Sequence, residues 1–334
     1  MNKVITFQKP VYINATSCVG GKKESEGPLA AGFDSLCKDD YFGMDTWEKA
    51  ETEMQKRSLW LLLEKCGLKA EDIPMAFGGD LCDQITSTAF AYRDFPMSFL
   101  GQYGACSTMA QSMAMAACMV GAGYVQKAVA GASSHFCTAE RQFRTPLAYG
   151  GKRTPTAQWT VTGAAHALLS DWGIGPVITR VFFGRVVDPG ITDANNMGAA
   201  MAPAAADTIK SFLRQTGGRP DDYDRIFTGD LGKIGSLLLK QLLQKEEINL
   251  HNHQDCGLLI YDLNQQNVQS GASGCGCSGC TLSAYIMPKL MKKEYKKILF
   301  IATGALLSPT SSMQKESIPS IAHLVEICAR EGDI

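Results

Sequence analysis

The sequence has almost no net charge and no export signal. Its 334 residues include 32 lysines and arginines against 33 aspartates and glutamates, a formal net charge of −1, so we expect no nucleic-acid partner. The N-terminal "MNKVITFQKP" has no long apolar stretch ahead of a small-residue cleavage site. We therefore expect no secretory signal peptide and expect synthesis in the cytoplasm. The twelve cysteines are then expected to be reduced thiols.

Three further features are missing. No glycine-rich phosphate loop is present, because "GGK" at residues 150–152 lacks the spacing and the following Ser or Thr. Residues 95–126 carry no charge, but polar residues interrupt them and they are rich in glycine and alanine, which favours a buried central helix over a membrane span. "CGCSGC", Cys275 to Cys280, offers three thiols where a closed zinc site needs four, so no metal is predicted.

The chain contains two halves that echo each other. "MAFGGDLCDQI" and "RIFTGDLGKIG" are strand-like runs that reach the same Gly-Asp-Leu, and in each half a Cys-Ser pair, at Cys106 and at Cys277, then opens a helix before a buried strand. We place the halves at residues 1–172 and 173–334, with a glycine- and proline-rich boundary after "TGAAHALLS", which we interpret as helical. The prediction is a duplicated α/β unit with buried helices.

Cys106, in "GQYGACSTMAQ", is the first candidate for chemistry. If the helix begins near Ser107, the thiol lies at the positive end of the helix dipole beside unpaired amide groups, which lowers a thiol pKa and can hold an oxyanion. A small buried cysteine without chemistry is the alternative. The residues leave both interpretations open.

Long segments of the chain resemble a known family. "YGACSTMAQSMAMAA" and "GCGCSGCTLSAYIMPKL" resemble the thiolase superfamily, whose fold is a five-layer αβαβα built from two duplicated halves. "AERQFRTPLAYGGKRTPTAQWTVTGAAHA" and "VVDPGITDANNMGAAMAPAAADTI" resemble the stage V sporulation protein AD family within it. This resemblance implies binding of dipicolinic acid, alone or as its calcium chelate, and uptake into the developing spore with membrane-associated channel proteins. It also implies a homodimer, peripheral at the inner membrane of the developing spore.

The departures from the superfamily concern catalysis. The histidine base of thiolases and condensing enzymes falls on Ser273 here, their second cysteine on about Ala302, and the histidine of ketoacyl synthases near Gly229 or Asp230. A nucleophile without its acid-base partners loses most of its rate advantage. We therefore expect a non-catalytic binder that needs no cofactor and no coenzyme A. Two alternatives are an acyltransferase that uses Cys106 with His135 as base, and a scaffold whose cleft is vestigial.

The predicted ligand-binding residues combine the cysteine site with possible partners for a dianion. Arginine forks suit carboxylates, and no acid lies between Arg141 and Ser170. Asp80 and Asp230 follow equivalent strands and are also suited to cap the next helix. His135 follows a strand that leads to the cleft, and a structural histidine whose ring nitrogens are satisfied within the fold is an equally good interpretation. His166 is interpreted as core. The predicted set is Cys106, His135, Arg141, Arg144, Asp80, Ser273 and Cys277, with Lys152 and Arg153 as further cations of the same segment.

Overall fold

The computed structural model describes residues 3–143 and 153–330. Its strands are β1 (Ile5–Gly20), β2 (Ser35–Leu36), β3 (Met75–Gly79), β4 (Ser98–Gly101), β5 (Lys127–Ser134), β6 (Trp159–Thr160), β7 (Gly163–Ser170), β8 (Val177–Phe183), β9 (Arg225–Thr228), β10 (His253–Asp255), β11 (Ala272–Ser273), β12 (Lys297–Ala305) and β13 (Ser320–Cys328). The α-helices are α1 (Trp47–Cys66), α2 (Thr86–Tyr92), α3 (Thr108–Gly121), α4 (Phe136–Phe143), α5 (Met197–Thr216), α6 (Gly232–Gln244), α7 (Cys275–Thr281), α8 (Met287–Met291) and α9 (Pro309–Met313), with a π-helical stretch at Leu282–Ile286 between α7 and α8.

The strands form two matching groups that meet at β1 and β8. The order is β10-β9-β12-β13-β8-β1-β7-β5-β3-β4, with β2 beside β1. On one side β4, β3 and β5 are parallel and β7 is antiparallel. On the other side β10, β9 and β12 are parallel and β13 is antiparallel. The echo in the sequence therefore corresponds to a repeated strand arrangement.

Helices form three layers around these two strand groups. The uncharged α3 contacts β3 and β5 of the first group and β12 and β13 of the second, and α7 packs beside it against β5 and β7. The outer helices α1 and α5 cover the opposite faces, against β1 and β7 and against β12 and β13. Apolar α3 residues such as Met109 and Met113 are buried, since a central helix has no face left for charges. The architecture is the predicted five-layer αβαβα fold.

Two local predictions are wrong. "TGAAHALLS" is mostly the strand β7, not a helix. All eight residues of β7 are buried, so it lacks the apolar-polar alternation that marks a strand with one exposed face. Cys277 does not open its helix either, because α7 begins at Cys275 after Gly274.

The predicted boundary between the halves, at residues 172 and 173, falls in the turn between β7 and β8. Within the described residues, no helix is long and apolar enough to cross a membrane.

Candidate functional site

Cys106 lies in a tight turn between β4 and α3. Ala105 takes a left-handed conformation with φ of 49°, which costs a non-glycine residue energy and is common at functional turns. The Ser107 amide donates to the Gly104 carbonyl at 3.0 Å. A Cβ on Gly304, near the end of β12, would lie 2.1 Å from that carbonyl oxygen. The second half of the chain therefore packs directly on the turn that presents the cysteine.

The thiol of Cys106 contacts the hydroxyl of a serine that is itself hydrogen-bonded to an aspartate. Its Sγ lies 3.7 Å from Ser273 Oγ, and Ser273 donates to Asp230 Oδ2 at 2.8 Å. Burial, and then the Asp230 carboxyl, raise the pKa of Cys106 well above its ordinary value. Burial and a nearby acid therefore act against the thiolate that the helix dipole would favour, which supports the interpretation of Cys106 as a buried cysteine without chemistry.

Asp230 is the centre of this site. Besides Ser273, the Gly274 amide donates to Oδ2 at 3.0 Å and the Thr303 hydroxyl to Oδ1 at 2.9 Å. These donors favour the ionised form, whereas burial of the carboxyl raises its pKa. Cys106, Ser273, Asp230 and Thr303 come from four separate segments, and we call them the Cys106 site. It offers a thiol, two hydroxyls and a buried carboxyl.

The two equivalent aspartates have different roles. Asp80 accepts hydrogen bonds from the Thr88 amide at 2.7 Å and from the Cys82 amide at 2.8 Å, so it stabilises the start of α2, as the capping interpretation predicts. Asp230 does not cap α6. That role belongs to Asp255, which accepts from the amides of residues 231 and 232. In the second half of the chain, Asp255 therefore caps the helix, and Asp230 instead lies near Cys106.

The histidines are engaged within the fold. His135 Nε2 lies 2.8 Å from the Asp40 carbonyl oxygen, and its Nδ1 accepts from the Cys137 amide at 3.2 Å. Both ring nitrogens thus have structural partners, which supports the satisfied-histidine alternative. His166 is buried on β7 with Nδ1 2.9 Å from Ser58 Oγ, so its assignment to the core is confirmed. Burial lowers the pKa of His166 to about 3.

The two described arginines of the predicted arginine-rich segment lie in different places. Arg141 is exposed, pairs with Glu48 and lies 5.5 Å from the Trp47 ring centroid. Arg144 and Lys152 lie outside the described residues. Arg153 pairs with Glu140 at 2.5 Å and donates to the Gln158 carbonyl at 2.8 Å. Of the described arginines in this segment, Arg153 is linked to the Cys106 site, through the strand that follows it.

A cluster of cations and aromatic rings lies beside Ser273, and the sequence did not identify it. Phe136 and Trp159 stack with ring centroids 4.0 Å apart. Lys23 Nζ lies 4.2 Å and the Arg153 guanidinium 4.7 Å from the Trp159 centroid. β6 pairs Trp159 with Ala272 and Thr160 with Ser273, so this cation-aromatic cluster lies on the strand that pairs with the strand of Ser273, with the Trp159 ring on the opposite face from the Ser273 side chain. The available signal was "KRTPTAQWT", in which a tryptophan follows two cations.

The "CGCSGC" thiols point to separate backbone oxygens. Cys275 donates to Ala105 O at 2.9 Å, Cys277 to Gly229 O at 3.4 Å, and Cys280 to Val19 O at 3.9 Å. Within residues 3–143 and 153–330, no three Cys, His, Asp or Glu side chains are placed to hold a metal ion. Cys277 therefore belongs to the packing under Gly229, and Cys275 supports the turn that carries Cys106.

Comparison with known proteins identifies the relatives of this arrangement. The stage V sporulation protein AD family matches residues 1–328. Stage V sporulation protein AD of Bacillus subtilis (strain 168) is 41% identical over 318 residues, which are 95% of this chain and 94% of that protein. The predicted resemblance to this family is confirmed.

Solved structures show the same fold at low identity. Human mitochondrial 3-ketoacyl-CoA thiolase in complex with CoA matches with a TM-score of 0.58 and 10% identity, over 98% of this chain and 99% of that one. The 3-oxoacyl-[acyl-carrier-protein] synthase III from Aquifex aeolicus VF5 matches with a TM-score of 0.51 and 10% identity, over 98% and 100%. The thiolase-like fold is thereby confirmed.

Proposed function

Because the chain belongs to the stage V sporulation protein AD family, we propose that it binds dipicolinic acid without chemical turnover. The ligand enters alone or as its calcium chelate, and binding serves its uptake into the developing spore with membrane-associated channel proteins, at the inner membrane. One observation carries the non-catalytic part: burial and the Asp230 carboxyl raise the pKa of the Cys106 thiol, and the side chain beside that thiol is the Ser273 hydroxyl, which is too weak a base to deprotonate it. Such a protein needs no coenzyme A.

The cation-aromatic cluster supports the choice of ligand. Dipicolinate is a planar pyridine ring with two carboxylates, so a suitable site presents cations next to aromatic surface. Lys23 and Arg153 supply the cations, and Phe136 and Trp159 supply the ring surface. Both arginines already pair with a glutamate, Arg141 with Glu48 and Arg153 with Glu140. Arg153 is the better candidate for the carboxylates because it also lies against the aromatic rings of the cluster, whereas Arg141 is exposed.

The buried carboxyl of Asp230 favours the calcium form. A free dianion close to an ionised Asp230 is repelled, and at low dielectric that repulsion is large. The one-to-one calcium chelate carries no net charge and avoids it. We therefore propose that calcium strengthens binding, with Lys23 and Arg153 on the outward carboxylate.

Surface plasmon resonance with the immobilised full chain tests this proposal. Saturable binding of dipicolinate, tighter with calcium, is expected, and Arg153→Ala and Trp159→Ala should each weaken it about tenfold or more. Lys38→Ala, an exposed lysine in another loop, is the matched control. Picolinate, which lacks one carboxylate, should bind more weakly. Absence of saturable binding, or equal binding by all variants, would contradict the assignment.

The turn at Ala105 favours one alternative function, acyl transfer through Cys106. The left-handed Ala105 holds the cysteine at the start of α3, as a nucleophile requires. Incubation with several acyl-CoA donors followed by intact-mass measurement separates the two functions. A covalent adduct that disappears in Cys106→Ser would establish the enzyme, and unmodified protein with every donor would support binding alone.

We also propose that the protein is a homodimer joined through β4. This strand is the last of its strand group, and Leu100 on it is exposed, which leaves an edge for pairing with a second copy. Sedimentation equilibrium should give twice the chain mass, and Leu100→Lys should shift the protein towards the monomer. A monomer in the unsubstituted protein would reject this proposal.

A further inference from the structure

The end of the molecule opposite Cys106 is built from a single row of paired residues. Lys127 pairs with Ser170, Ser170 with Tyr12, Tyr12 with Val177, Val177 with Cys328, and Cys328 with Lys297. β5 and β12 begin at this row and run towards the Cys106 site, while β7 and β13 end at it. The segments beyond the row, residues 122–126, 171–176, 292–296 and 329–330, therefore project from the same end, which we call the basal face.

Hydrogen bonds join these segments into one surface. The Asp171 amide donates to the Gln126 carbonyl at 3.0 Å, and the Arg330 guanidinium donates to the Gly173 carbonyl at 3.2 Å. The Ala329 amide donates to the Lys296 carbonyl at 2.8 Å. Asn14 also holds the 171–176 turn, through the Trp172 carbonyl at 3.0 Å. The basal face is thus one surface that extends over both halves of the chain.

Three large apolar side chains project from the basal face. Tyr124 is 76% exposed, Trp172 is 56% exposed and Ile174 is 77% exposed. They lie on turns rather than in a groove, so they do not outline a slot for a peptide. Tryptophan and tyrosine on projecting turns match the polar-apolar boundary of a bilayer, where one end of each ring meets lipid chains and the other meets water.

Positive charge surrounds these side chains. The cations are Lys127, Lys292, Lys293, Lys296 and Arg330. Within the four segments of the basal face, the described acids are Asp171, which is exposed, and Glu294, which pairs with Lys289. Asp224, just before β9, accepts from the backbone amides of residues 296 and 297. Among the described residues of these four segments, cations therefore outnumber acids, although the whole chain carries a net charge of −1. This complements an anionic lipid surface.

We propose that the basal face docks directly on an anionic lipid bilayer, with Tyr124, Trp172 and Ile174 at the boundary and the lysines against the lipid phosphates. The inference deepens the proposed role at the membrane, but it depends only on this surface and not on the ligand. The length of β5, eight residues, separates the row from the strand ends near Cys106 by roughly 25 Å. The ligand site then opens away from the bilayer.

Cosedimentation of the full chain with protein-free vesicles tests this proposal. Vesicles of phosphatidylglycerol and phosphatidylcholine should bind the protein, and vesicles of phosphatidylcholine alone should bind it much less. The variant with Tyr124→Ser, Trp172→Ser and Ile174→Ser should lose about 100-fold in affinity. Met313→Ser is the matched apolar control, since Met313 is also 77% exposed but ends α9, the short helix between β12 and β13.

A second pair of variants separates charge from apolar contact. The double variant Lys292→Glu, Lys293→Glu should bind anionic vesicles at least about fivefold more weakly per lysine at low salt. The control double variant Lys38→Glu, Lys233→Glu, near the other end of the strands, should bind as the unsubstituted protein does. Equal binding by test and control variants would overturn the proposal. So would a protein that ignores anionic vesicles yet sediments with native membranes, because the face would then dock on protein. Dipicolinate binding by the same variants should be unchanged. If the unsubstituted chain does not bind dipicolinate, that result rejects the proposed ligand and leaves the proposed lipid contact intact.

Discussion

Replacing Asp230 by asparagine is expected to make the Cys106 thiol react faster with iodoacetamide. Cys106 Sγ lies 3.7 Å from Ser273 Oγ, which lies 2.8 Å from Asp230 Oδ2. The sulfur and the carboxylate oxygen are therefore no more than about 6.5 Å apart. At an effective dielectric constant of about 20, the repulsion between a thiolate and an ionised carboxylate at that distance is about 2.5 kcal/mol.

The substitution should remove that repulsion and leave the burial of the thiol in place. Asparagine can keep its oxygen towards the Ser273 hydroxyl and the Gly274 amide, while its amide group faces the Thr303 hydroxyl, which can accept. Because the thiolate is the reacting form, the rate should rise about 10- to 50-fold. The large structural change that Asp230→Ala would cause, with three donors unpaired, is avoided.

Peptide mass spectrometry can follow Cys106 separately from the other eleven cysteines. Rates are compared at one pH for the unsubstituted protein, Asp230→Asn and Asp255→Asn. Asp255 is a buried acid that caps α6 and does not contact the thiol, so its replacement should leave the rate of Cys106 alkylation unchanged. If Asp230→Asn leaves that rate unchanged as well, the carboxyl does not hold the thiol in its neutral form, and the electrostatic account of an inert Cys106 is wrong.

Two further predictions concern stability. Gly304→Ala should lower the free energy of unfolding, measured by urea denaturation, by about 2–4 kcal/mol, because its Cβ would lie 2.1 Å from the backbone oxygen of Gly104. The control Gly190→Ala has open space around its Cβ but a φ of 77°, so it should cost only about 1 kcal/mol. Equal losses in the two variants would exclude the steric clash as the cause. Burial raises the pKa of Glu51 from 4.5 to about 8, so its contribution to stability is complete below about pH 4.5 and is lost as the pH rises through 8. Relative to Glu51→Gln, the unsubstituted protein should therefore lose up to about 1.4 kcal/mol per pH unit over that interval, and parallel pH profiles would contradict the raised pKa.

Local patterns were sufficient for most of the fold and failed at particular elements. The absence of charge in α3 indicated a central helix, and the repeated Gly-Asp-Leu segments indicated two matching halves. Both could be recognised because buried helices and turns leave patterns in consecutive residues. β7 was misread because a strand buried on both faces has no alternation. Asp80 caps α2, as its position after β3 suggested. The contacts of the equivalent Asp230 could not be predicted from its position, because Asp255 caps the helix in the second half.

The sequence by itself determined the family, the thiolase-like fold, the cysteine at the start of a buried helix and the absence of histidine at the expected positions, because each of these is a property of contiguous residues. Only the tertiary structure decided what Cys106 contacts. Ser273 lies 167 residues from Cys106 along the chain, and Asp230 lies 43 residues from Ser273. Their meeting depends on how β9, β11 and α3 pack, and no local pattern encodes it. The same holds for Lys23, which reaches the Trp159 ring from a distant part of the chain.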